Sequence, residues 1–288
     1  MQKKLQILSS ERRSGGEIAQ PPDTKEFEVL KIINDYGHLR ITEIARTVWP
    51  ASKPARAESM ASRIIARLLT WRFLHGWPDA FGGISFALTS RGAACLREWG
   101  EDARSGLKYS LNRPNFRHRW IGTRYVIERG ALGHRAYGAH ALITDRAPVG
   151  RTELTQRFGI LPDGLVLVPD PTSANILLGD WVKVIWSRFS IYDLERMLSI
   201  EQHVGASLNA EDTVRLARVL FLCDAESSWL IGALRRYLQT HPRPDRDLHR
   251  IVIVRCRVGL PLVWNGYDEI DCAQLSTLLL RALRIRTP

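Results

Sequence analysis

With 288 residues, of which 45% are hydrophobic and 25% charged, the chain has the balance of an ordinary globular protein. It has room for one small domain and one larger one. No apolar run approaches the ~20 residues of a membrane helix, and the basic start MQKKLQILSSERRSGG lacks the apolar core of a secretion signal, so a cytoplasmic protein without a membrane partner is expected. The net charge of +11 is unevenly placed. Residues 1–135 carry 23 Lys and Arg against 13 Asp and Glu, and residues 136–288 carry 18 against 17. Charge provided only for solubility would be spread along the chain, so this segregation implies a polyanionic partner held by the N-terminal half. Cys95, Cys223, Cys256 and Cys272 are widely spaced, with no CxxC and no nearby His pair. That pattern excludes a zinc or disulfide framework and leaves reduced, buried thiols.

Residues 1–23 read as a flexible basic tail. After Pro21-Pro22, Asp23 or Thr24 can cap a helix to about Tyr36, with Phe27, Leu30 and Ile33 inward and Gly37 as its stop. His38-Leu39-Arg40 is a short extended piece, and Thr42 opens a second helix that Pro50 ends. A loop with Pro54 leads to a longer helix from about Arg56 to Arg72. Phe73–Trp77 and Ile84–Leu88 then form a hairpin around Gly82-Gly83, and Thr89-Ser90 caps a closing helix. Helix, short strand, helix, turn, long helix and hairpin is the order of a winged helix-turn-helix over residues 24–99. On the long helix, Ala57, Met60, Ala61, Ile64, Leu68 and Trp71 fall on one side at 100° per residue. Arg56, Ser59, Ser62, Arg63 and Arg67 fall on the other. Arginines with only small residues between them suit a major groove, where Arg reads guanine edges and Ser holds phosphates; a plain amphipathic helix with a solvated basic face has the same pattern.

Residues 100–113 have the Gly, Ser and charge content of a linker to a second domain over 114–288. Pro114 fits the first turn of a helix to about Arg129, with Phe116, Trp120, Ile121, Tyr125 and Ile127 as its apolar stripe. Arg117 and Arg119 on that helix either extend the DNA footprint or lie on a solvated face. Strand-like runs follow at Ala139–Ile143, Gly164–Val168, Trp181–Trp186, Val214–Cys223 and Arg250–Val258. Helical runs lie at Ile191–Gly205 and Ser227–Gln239, a hairpin turn is signalled at Asn265-Gly266, and a terminal helix at Cys272–Leu283. An α+β protein is expected, with a winged helix followed by a mixed sheet under helices.

No phosphate loop, GxGxxG, GxSxG or HExxH is present. One constellation carries chemistry: Pro162-Asp163-Gly164 begins an apolar strand, and Lys183 follows in the run Asp180-Trp181-Val182-Lys183. Strand, Pro-Asp, strand, acid-x-Lys and helix resembles the core of the PD-(D/E)xK nuclease fold. Together with the winged helix and His118-Arg119 on the joining helix, residues 24–205 resemble the replication-relaxation family, related to MobC-type relaxases of plasmids and integrative conjugative elements. The resemblance implies Asp163 as a Mg²⁺ or Mn²⁺ ligand and Lys183 beside the attacking water. The sequence departs from the pattern at Trp181, which stands where the second acid belongs. Asp180 should face away from Lys183, because side chains alternate along a strand. Glu195, with Glu201 behind it, is the candidate replacement acid, and Glu128 another.

Two readings of the second domain follow: a degenerate, non-catalytic nuclease-like domain, or a metal-dependent nicking enzyme. In both, the chain is a sequence-specific binder of double-stranded DNA acting in mobilisation or replication of a mobile element. Its expected partners are a second copy of itself or other mobilisation and replication proteins. A winged-helix transcription regulator is the third reading.

Overall fold

The computed structural model describes residues 25–79, 81–105, 113–185, 195, 198–224, 232–233, 236, 250–259 and 263–271. The expected tail, the terminal helix, residues 106–112 of the linker, and all but Gly232, Ala233 and Arg236 of the helix at Ser227–Gln239 lie outside the described residues.

The chain is mixed α+β. Its N-terminal module begins with α1 (Lys25–Tyr36), whose Val29, Leu30 and Ile33 are buried at helical spacing. Gly37 ends α1 at φ +83°, donating its N–H to the Ile33 carbonyl at 2.8 Å. β1 (Leu39–Arg40) leads directly into α2 (Ile41–Val48). The start of α2 is made by Glu43 rather than by the expected Thr42, because the Glu43 carboxylate accepts the Arg40 N–H at 2.6 Å. α3 (Pro54–Thr70) starts two residues before expectation, since Pro54 occupies the first turn, where a missing N–H costs nothing. β2 (Leu74–Pro78), β3 (Ile84–Leu88) and α4 (Ser90–Glu98) follow, with Thr89 capping α4 by accepting the Gly92 N–H. The three strands make an antiparallel sheet in the order β1-β3-β2. Leu30, Ile44, Ala61, Leu68 and Leu96 are among the residues of the core beneath it.

The second part is a six-stranded mixed sheet in sequence order. β4 (Arg135–Gly138), β5 (Gly164–Asp170) and β6 (Ser173–Ile185) pair antiparallel. β7 (Val214–Asp224) and β8 (Ile251–Gly259) add in parallel, and β9 (Val263–Asp271) returns antiparallel. Strand alternation divides the side chains between two cores. Val166, Val182, Val184, Leu220 and Val252 meet Phe116, Trp120, Ile121 and Tyr125 of α5 (Arg113–Ala131) on one face. Leu165, Trp181, Ile185, Phe221 and Ile253 meet Leu142, Leu154, Phe158 and Ile200 on the other. Cys223 and Cys256 are buried, one in each core. No helix among the described residues is long and apolar enough to cross a membrane.

Two expected elements are corrected, and one unexpected helix is added. Ala139–Ile143 is a short helix, α6, and the first strand is the preceding Arg135–Gly138; a five-residue apolar run fits either periodicity, and the Thr144 hydroxyl closes the helical turn on His140. α7 (Arg151–Phe158), unforeseen, buries only Leu154 and Phe158, too short a stripe to stand out. Asn265-Gly266 is not the turn between β8 and β9. It lies inside β9, where the pairing shifts between Cys256–Tyr267 and Val258–Trp264, and Gly266 sits at φ +97°. The pair therefore forms a bulge, a second use of glycine's left-handed freedom.

Candidate functional site

The open face of α3 is the first candidate. Ala57, Ala61, Ile64, Ile65 and Leu68 are buried in the module core, while Arg56, Ser59, Ser62 and Arg63 on the opposite side are exposed. Met60, expected inward, is only half-buried. The Ser62 hydroxyl donates to the Glu58 carbonyl of its own helix at 2.8 Å, which leaves it lone pairs only. Arg67 differs from the other arginines of this helix. It is exposed like Arg56 and Arg63, but its guanidinium pairs with Glu26 of α1 and braces α3.

The hairpin after α3 does not project freely. Asp79 is buried and accepts the N–H groups of Phe81 and Gly83, closing the turn on itself. Its other oxygen takes the Arg40 guanidinium at 2.8 Å. Phe81 then reaches α5, with its ring 6.2 Å from that of Phe116, and Arg40 lies over the Phe116 and Trp120 rings. The turn is thus a bracket between the module and α5.

α5 is neither a free basic face nor a solvated one. It is wedged between module and sheet. Trp120 donates its indole N–H to Glu43 of α2, and buried Arg124 lies between Glu43 at 3.7 Å and Glu128 at 3.9 Å. Burial lowers the Arg124 pKa, and the Glu43 charge offsets part of that. Arg117 and Arg119 are half-buried. Arg119 faces the junction, where its charge adds to burial in holding His38 neutral, with a pKa lowered to about 4. Arg117 and Arg119, expected either to extend the DNA footprint or to lie on a solvated face, thus stand partly covered on a helix packed on two sides.

The Asp163 constellation does assemble, with a different membership. Asp163 lies just before β5, its N–H on the Val182 carbonyl and its Oδ2 accepting the Val184 N–H at 2.9 Å. The same oxygen lies 2.9 Å from His118 Nε2 of α5 and 3.1 Å from Lys183 Nζ. Lys183 also donates to the Leu161 carbonyl. Burial pushes the Asp163 carboxyl up, but the His118 hydrogen bond and the Lys183 charge outweigh it and hold the pKa at about 2. His118, of the His118-Arg119 pair, joins the cluster although motif spacing alone does not single it out. α5 carries His118 to Asp163 by packing against β5 and β6, with Ile121 and Tyr125 buried in the same core as Val166, Val182 and Val184.

A divalent cation does not fit here. Mg²⁺ and Mn²⁺ need several oxygen ligands, whereas the carboxylate oxygen of Asp163 is shared by two nitrogen bases and a backbone N–H. Asp180 turns away, as strand alternation requires, and holds Arg218 through two contacts of 2.9 and 2.6 Å. Glu128 pairs with Arg46 at 2.7 Å. Glu195 is half-buried and Glu201 buried. No group of three or more His, Cys, Asp or Glu that could hold a metal occurs among the described residues. The expected metal-ligand role of Asp163, the water-positioning role of Lys183 and the substitute-acid role of Glu195 therefore give way to an ion-paired cluster of His118, Asp163 and Lys183.

No protein-family model, curated protein or solved structure matches this chain.

Proposed function

We propose that the chain is a non-catalytic binder of double-stranded DNA that acts in mobilisation or replication of a mobile element. Its N-terminal winged helix-turn-helix recognises a site through α3. The observation that carries this reading is the one-sided build of α3: five buried apolar residues behind Arg56, Ser59 and Arg63, which stand exposed on a helix in the basic half of the chain. The second part takes the role of a degenerate PD-(D/E)xK-like domain. The antiparallel meander β4–β5–β6 behind α5, with β7 parallel to β6, supports that likeness, and the missing acids support the loss of cutting.

Binding is tested by gel shift on a mixed-sequence duplex at low salt. Wild type should retard the duplex, and Arg56→Ala with Arg63→Ala should weaken binding at least tenfold; unchanged retardation by the double variant would sink the assignment. Supercoiled-plasmid nicking with Mg²⁺ or Mn²⁺ tests the second domain. No nicking is expected, and nicking abolished by Asp163→Ala would restore the enzyme reading.

A further inference from the structure

The contacts around α3 narrow the reading surface further than its composition does. Arg67 is held by Glu26, Arg46 of the preceding helix by Glu128, and the hairpin turn by Arg40 of β1 through Asp79 and by Phe116 of α5 through Phe81. Arg56 and Arg63 have no ion-pair partner among the described residues and are exposed. Seven residues is nearly two whole helical turns, so the two arginines lie within about 20° of one line along α3 and about 10.5 Å apart along its axis. Ser59 lies between them on the same side and is small enough to let the helix backbone approach a groove floor. An arginine able to pair bidentately with O6 and N7 takes guanine before other bases.

We propose that base reading falls to Arg56 and Arg63 alone, and that the recognised duplex carries two guanine-bearing base pairs about three steps apart. The spacing follows from dividing the rise of α3 between the two arginines by the ~3.4 Å step of DNA, for a helix laid along the groove. The hairpin turn is held toward α5 through Phe81 and takes no part in this base reading. This inference rests on the DNA-binding reading above and adds the form of the target.

The test is selection from a random duplex library with the full chain, comparing wild type with Arg56→Ala, Arg63→Ala and Arg67→Gln, each checked for folding by circular dichroism. Wild type should enrich two G·C positions about three apart. Arg56→Ala should lose the preference at one of them and Arg63→Ala at the other, each by at least tenfold. Arg67→Gln should keep both. Variants that bind more weakly but enrich the same sequence as wild type would show that both arginines touch phosphates only, overturning the proposal. Loss of a position in Arg67→Gln would overturn it as well. A wild-type chain that retains no duplex would remove the DNA-binding reading, and this inference with it.

Discussion

Helices α3 and α5 are both long and arginine-rich, yet they use their arginines in opposite ways. α3 buries one face and leaves Arg56 and Arg63 in solvent. α5 is covered on two sides, and its Arg124 and Arg129 reach Glu43, Glu128 and Glu269. A basic helix is therefore not in itself a nucleic-acid surface; what matters is whether acids from neighbouring elements meet its cations. Among the described residues, Arg67 is the one arginine of α3 so met, by Glu26.

This contrast predicts opposite results from similar substitutions. Arg124→Ala should have the largest effect, about 3–5 kcal/mol of stability in urea denaturation, because it removes the buried cation 3.7 Å from the Glu43 carboxylate, which then keeps only hydrogen bonds from uncharged donors; a loss below about 1 kcal/mol would mean that the network is relaxed by solvent. Gly37→Ala comes next. The residue sits at φ +83°, and an added Cβ would come within 2.6 Å of His140 on α6, so about 2 kcal/mol or more should be lost, read as a lower denaturation midpoint.

Asp163 should act through pH. Its carboxyl is held at about 2 against an ordinary 3.8, so the folded state binds its proton later than the unfolded one. The resulting stability, about 2 kcal/mol, is present above the unfolded value and is lost as pH falls from about 4 to about 2. Asp163→Asn should flatten the acid limb of the stability curve in that window; an unchanged slope would mean that His118 and Lys183 do not hold the carboxylate. Arg56→Ala and Arg63→Ala should have the smallest effect on stability, within about 0.5 kcal/mol each, since both side chains point into solvent.

Local pattern made much of this legible. The 3.6-residue spacing located α1 and α3, the alternation of β6 separated Trp181 and Ile185 from Val182 and Val184, and the Thr89 cap marked α4. Misreadings arose where partners are distant or signals short. The pairing of Arg67 with Glu26 spans 41 residues, and the enclosure of α5 depends on α2 meeting its far side. Ala139–Ile143 is too brief for either period to decide. The Asp163 cluster was half legible: Asp163 and Lys183 stand at recognisable positions, but only the packing of α5 on the sheet brings His118 to them and makes a hydrogen-bonded cluster where metal ligands were expected.

The most direct measurement is arginine-selective chemical modification read by mass spectrometry, with and without a saturating mixed-sequence duplex. The account predicts that Arg56 and Arg63 react readily in the free protein and are protected by DNA, while Arg124 stays unreactive in both states. Modification of Arg56 and Arg63 that is unaffected by the duplex would contradict it.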